Sequence, residues 1–222
     1  MRAQLRILSY INRKFFSVFP GGRKIVPQGK QAKILTPKQE AAILQVLQGT
    51  RYPARDRVMF LLSIKAGLRA KEIALLTWGM VTDAEGQVAE VLALEDRISK
   101  GHGGGRRIPL NATLRQALVA LHQRHGEAVR PDQAVIASER GGALTPSSVT
   151  KWFFALYHAL GMSGCSSHSG RRTFITRAAR QVSAVGGSLR DVQQLAGHAS
   201  LQTTQRYIDG DTDAQRRLVQ LL

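Results

Sequence analysis

The chain is short of acid. Its 32 lysines and arginines face only 15 aspartates and glutamates, a formal net charge of +17 over 222 residues. An excess of that size argues against a cationic partner and favours a polyanion, with nucleic acid the leading candidate. Cysteine is nearly missing. Cys165 stands alone, so no internal disulfide can form and a reducing compartment is expected. No thiol motif surrounds it, and it reads as a small core residue. Long apolar runs are absent too, none approaching the ~18 residues of a membrane span. At the N-terminus arginine and lysine interrupt every apolar stretch, which leaves no signal-peptide core. Metal patterns are equally scarce: His122 and His125 share a predicted helix, but no H-E-x-x-H or cysteine pair accompanies them. The run "GHGGGRR" lacks the order of a P-loop, and no G-x-S-x-G elbow occurs.

What is present suffices for one sizeable core, since 43% of the residues are hydrophobic. Residues 1–33 carry eight Lys/Arg and no acid, broken by "FPGG" and "VPQGKQAK"; they read as a basic arm or linker able to touch phosphates. An organelle presequence would also fit that start. Residues 34–222 form the folded domain. Thr36, Pro37 and Gln39 supply a cap, a first helical position and a capping box. Helices are predicted in "ARDRVMFLLSIKAG", ending near Gly67, and in "RAKEIALLTW". "QVAEVLALEDRISK" and "GRRIPL" then read as a hairpin around the glycine-rich turn. Further helices follow in "TLRQALVALHQRHGEAV", "TPSSVTKWFFALYHAL", "SHSGRRTFITRAARQV" and "SLRDVQQLAG". The fold class is α+β, mostly α-helical, with one small antiparallel sheet.

Several polar residues sit where they could grip an anion. His168 and Arg171 are three apart on one helix face, with Ser167 as the expected cap at its positive end. Arg69 follows a glycine at a helix start, and Glu72 one turn later could hold its guanidinium. Lys100 lies on the hairpin turn. In "LAGHASLQTTQRY", Gly197 ends a helix, His198 follows, Ser200 caps a short helix, and Tyr207 closes the run. Singly, each also fits a solvated helix face, a surface ion pair or ordinary packing.

Together, "GLRAKEIALLTW", "SKGHGGGRRIPL", "SHSGRRTF" and "LAGHASLQTTQRYID" resemble, in order, the motif blocks of the tyrosine recombinases, or phage integrase family. The resemblance covers roughly residues 34–210 and implies the family's catalytic domain. It implies Arg69 and Arg171 as clamping arginines, Lys100 as the hairpin lysine, His168 and His198 as the two histidines, Tyr207 as nucleophile and Glu72 as support for Arg69. Gly170 departs from the family's leucine, a change expected to loosen local packing. The implied activity is DNA cleavage and rejoining through a 3′-phosphotyrosyl link, with neither ATP nor a metal. The implied partners are double-stranded DNA, a tetramer assembled on two DNA sites, and an accessory DNA-bending or clamp protein, because residues 1–33 are too short for the helical domain that closes the family's DNA clamp. The implied setting is a prokaryotic or mobile-element protein in the cytoplasm, on the nucleoid. Type IB topoisomerase-like relaxation and a non-catalytic DNA-binding regulator that kept the fold stay open as alternatives.

Overall fold

A computed structural model describes residues 32–98, 105–126, 129–207 and 219–220. Helix α1 (Pro37–Leu47) starts as the sequence predicts: the Thr36 hydroxyl accepts from the Gln39 N–H, and the Gln39 carboxamide accepts from the Thr36 N–H. Helix α2 (Pro53–Lys65) is apolar around most of its circumference, with Val58 to Ile64 buried in an unbroken run. Such a helix belongs in the centre of a domain. It packs against both α4 (Ala112–His125) and α6 (Ser169–Gln181). The chain leaves α2 through Gly67 at φ +66, where a Cβ would lie 2.5 Å from the Phe174 ring.

Helix α3 (Ala70–Leu75) is shorter than expected. The sequence predicts helix through Trp78, but Leu76 turns extended and Thr77 bridges to Ala134. The Trp78 N–H donates to the Gln133 carbonyl and the Val135 N–H to the Leu76 carbonyl. This pairing draws Trp78 into the core within a single 3-10 turn, Trp78–Met80. The hairpin comes next. Strands β1 (Val91–Leu94) and β2 (Arg106–Pro109) run antiparallel, with Leu92 opposite Ile108 and Leu94 opposite Arg106. Ile108 faces the core and Arg107 faces solvent, as period-2 alternation requires.

Asn111 caps α4, which stops at Gly126 (φ +70), short of the predicted continuation to Val129. Thr145 caps α5 (Pro146–Ala159), and α5 packs on α3. Beyond α6 come α7 (Leu189–Ala196) and α8 (Leu201–Gln205), the latter capped by Ser200 as predicted. Cys165 is half-buried at the edge of the main core. Gly170 does not loosen the packing. A Cβ there would fall 2.3 Å from the Ser63 Oγ, so its absence lets α6 close down on α2. No helix among the described residues is long and apolar enough to cross a membrane.

Candidate active site

Polar groups converge where α3, β2, α6 and the α7–α8 corner meet. Arg69 precedes α3 in an extended conformation (φ −77, ψ 156), which turns both its N–H and its side chain towards Glu72. The Glu72 Oε2 accepts from the Arg69 N–H at 2.7 Å, and Oε1 accepts from Arg69 Nη1 at 2.8 Å. A second arginine, Arg106, completes the shell: its Nη1 donates to Oε1 at 2.9 Å and its Nη2 to Oε2 at 3.0 Å. Glu72 is fully buried. Burial works to raise its pKa, but the charge and hydrogen bonds of Arg106, then those of Arg69, outweigh it and hold the carboxyl below the usual range.

Arg171 projects from α6 into the same region and is only 3% exposed. Its Nη1 donates to the Gly67 carbonyl and its Nη2 to the Ala196 carbonyl, both at 2.6 Å. Arg69 Nη2 donates to the neighbouring Gly197 carbonyl at 3.3 Å. Both guanidiniums therefore meet the C-terminal end of α7, where the peptide dipoles present partial negative charge. Burial, and then the charge of Arg69, lower the pKa of Arg171 to about 10, so it stays a cation at neutral pH.

Gly197 makes the corner at φ +61, ψ 50, which returns the chain towards these arginines. His198 follows. Its Nδ1 lies 2.9 Å from the hydroxyl of the fully buried Thr204, and its carbonyl accepts from the Gln193 amide. Burial comes first, followed by the charges of Arg171, Arg69 and Arg106; together they push the His198 pKa down to about 4 and keep the ring neutral. Tyr207 stacks on that ring, with centroids 5.4 Å apart and planes 25° apart. The Thr176 hydroxyl of α6 donates to the Tyr207 carbonyl, tying the turn after α8 to α6.

His168 sits at the rim, immediately before α6. The residue is exposed, but its ring is partly enclosed, and that enclosure together with Arg171 and Arg69 lowers its pKa. Ser167 does not cap α6. The turn is made instead by Ser166 and Ser169: the Ser169 hydroxyl accepts from the Ser166 N–H, and the Ser166 hydroxyl accepts from the His168 N–H. A pocket of about 380 Å³ opens between His168, Arg171, Arg172, Thr203, Arg206 and Tyr207, with Ala32 on its edge. Lys100 lies outside the described residues. His122 packs edge-on against Trp78, with centroids 4.8 Å apart.

The phage integrase family profile matches residues 33–213. The chain belongs to the phage integrase family. Among curated relatives, tyrosine recombinase XerC of Myxococcus xanthus is 34% identical over 185 residues, which cover 79% of this chain and 57% of that protein. XerC of Rhizobium meliloti is 30% identical over 160 residues, covering 72% of this chain and 46% of that one. The chain thus spans about half the length of these relatives. Solved structures share the fold. The Tn1549 transposon integrase in complex with circular intermediate DNA matches at a TM-score of 0.67 and 21% identity, over 88% of this chain and 69% of that one. The XerH recombinase bound to its palindromic difH substrate matches at 0.65 and 21%, over 89% and 55%.

The structure brings together six of the seven residues singled out from the motif blocks: Arg69, Glu72, His168, Arg171, His198 and Tyr207. It adds two that the motifs do not single out, Arg106 and Thr204. A signal for Arg106 exists in the sequence. It lies two residues before Ile108, and in a strand that spacing puts both on one face.

Proposed function

We propose that this chain supplies the catalytic domain of a site-specific DNA recombinase that cleaves and rejoins strands through Tyr207. The observation that carries this reading is the stacking of Tyr207 on a neutral, buried-side histidine beside two guanidiniums. Arginine is suited to the non-bridging oxygens of a phosphodiester because its planar fork spans two acceptors. An ordinary tyrosine ionises near ~10, so forming phenolate at neutral pH costs about 4 kcal/mol. A neutral imidazole beside the hydroxyl can take its proton.

In this reading the Tyr207 oxygen attacks phosphorus, a 3′-phosphotyrosyl bond forms, and the bond to the 5′-oxygen breaks. Lys100 gives that oxygen its proton. Arg69 and Arg171 neutralise the phosphorane charge, Glu72 fixes Arg69, and His168 and His198 serve the proton transfers. Residues 1–33 act as the basic arm on DNA phosphates, and residues 34–222 carry the chemistry. The net charge of +17 supports double-stranded DNA as the partner. The working form would be a tetramer on two DNA sites, joined by an accessory DNA-bending or clamp protein, on the bacterial nucleoid.

The test is a nicked duplex that traps the covalent intermediate. Wild-type protein should become attached to the DNA, and Tyr207→Phe, which loses only the hydroxyl, should bind equally and form no adduct. An adduct in Tyr207→Phe mapped to another residue would overturn the assignment. Supercoil relaxation without exchange between two sites would favour the topoisomerase alternative.

A further inference from the structure

Glu72 is claimed from two sides. Arg69 reaches it from α3, using one backbone and one side-chain N–H. Arg106 reaches it from β2 with both outer nitrogens of its fork, one to each carboxylate oxygen. The Arg106 side chain is only 10% exposed, and its Nε has no hydrogen-bond partner among the described residues, so Glu72 is what engages the guanidinium. The same side chain lies under the α7 corner: a Cβ on Gly197 would be 2.5 Å from Arg106 Nη1 and 3.0 Å from its Cδ. One guanidinium thus supports the carboxylate that orients Arg69, and also the corner whose carbonyl accepts from Arg69.

Without Arg106 each Glu72 oxygen would keep a single hydrogen bond, both from Arg69, and the carboxylate plane would be held from one side only. With the Arg106 fork in place, both oxygens are fixed in the plane of that fork. The direction in which Arg69 presents its remaining N–H groups depends on that plane. Arg106 also opens β2, so its bonds to Glu72 tie the start of that strand to the base of Arg69.

We infer that Arg106 is a positioning residue for strand cleavage: through Glu72 it fixes the guanidinium of Arg69 against the scissile phosphate. The inference rests on the recombinase reading of this site. Arg106→Lys keeps the charge but replaces the fork with a point donor that cannot span both oxygens. Misplacement of a catalytic group by about 1 Å is enough to slow a reaction on the order of 10²-fold.

The experiment measures single-turnover adduct formation on the nicked duplex, DNA affinity, and folding by circular dichroism. Arg106→Lys should bind DNA as wild type does and form adduct about a hundred-fold more slowly. Because the loss of a purely structural residue would also slow the step, the second arm is a cycle with Glu72→Gln. Adding Arg106→Met to Glu72→Gln replaces the ion pair with two uncharged side chains of similar length, which spares the fold the buried unpaired charge. If Arg106 works through Glu72, the double variant is no slower than Glu72→Gln alone. Losses that multiply, or an Arg106→Lys protein with undiminished cleavage, overturn the inference. A wild-type protein that forms no adduct breaks the recombinase reading itself; a wild-type adduct with an unaffected Arg106→Lys breaks only the role of Arg106.

Discussion

Around α2 the interior is continuous and apolar, built from the side chains of α1 to α5 and the hairpin, with Trp78, Trp152, Phe153 and Phe60 wholly enclosed. Beneath Tyr207 it is sparse. There Ile175, Val192 and Ala196 are buried, and the half-exposed Phe174, Leu189 and Tyr207 lean on them. What the C-terminal layer lacks in apolar packing it makes up with polar ties to the rest of the domain: Arg171 to Gly67 and Ala196, Arg69 to Gly197, and Thr176 to Tyr207. Burying hydrocarbon stabilises without regard to direction, whereas hydrogen bonds fix orientation and contribute only about 1 kcal/mol each. The two regions divide the work accordingly. The α2 core secures the fold, and the C-terminal layer places a few functional atoms at the cost of local stability.

The strongest challenge to this contrast is Phe153→Ala. Phe153 is fully buried between Trp152 and Tyr157, and its loss should lower global stability by about 3–5 kcal/mol, read from urea unfolding. Ile175→Ala comes next. Most of its neighbours, Phe174, Leu189 and Tyr207 among them, are only partly buried and able to settle, so a loss near the low end, about 2 kcal/mol, is expected. Hydrogen exchange sharpens the test: amides of α7 and α8 should exchange faster in Ile175→Ala while those of α2 keep their rates. Equal acceleration everywhere would mean that the two regions open as one unit.

The last test is set by pH. His198 titrates near 4 in the folded state, against ~6.5 for a free histidine, and His168 shifts in the same direction. Between those values the unfolded chain binds more protons than the native one. The stabilisation is therefore complete above about pH 6.5 and is lost as pH falls towards 4. Urea midpoints across that window should drop less steeply in His198→Asn. An unchanged slope would place the acid sensitivity elsewhere.

Local rules carry far in this chain. The Thr36–Gln39 box, the Ser200 cap and the Gly197 corner follow from side-chain chemistry within a few residues, and all are legible in sequence. So are the blocks that bring Arg69, Glu72, His168, Arg171, His198 and Tyr207 to notice. Contacts between distant segments are not. Helix α3 stops early because residues 133–135 compete for its next backbone groups, a pairing more than fifty residues away. Arg106 escapes attention because "GGGRRIPL" offers two adjacent arginines, and which one turns inward depends on strand register. Gly170 looks like a gap until Ser63 of α2 is seen against it.

The first described residues are tied across α6. The Ala32 carbonyl accepts from Arg172, the Lys33 N–H donates to Gly164, and the Leu35 N–H donates to Thr173, which straps these residues across α6. Ala32 also borders the pocket that holds Tyr207. Any polypeptide joined upstream of that residue is therefore tethered beside Tyr207. For a short flexible connection the local concentration of the attached module there reaches the mM range, whatever its concentration in solution. A binding module grafted upstream would act as a dial on what is captured beside that pocket, with linker length as its setting.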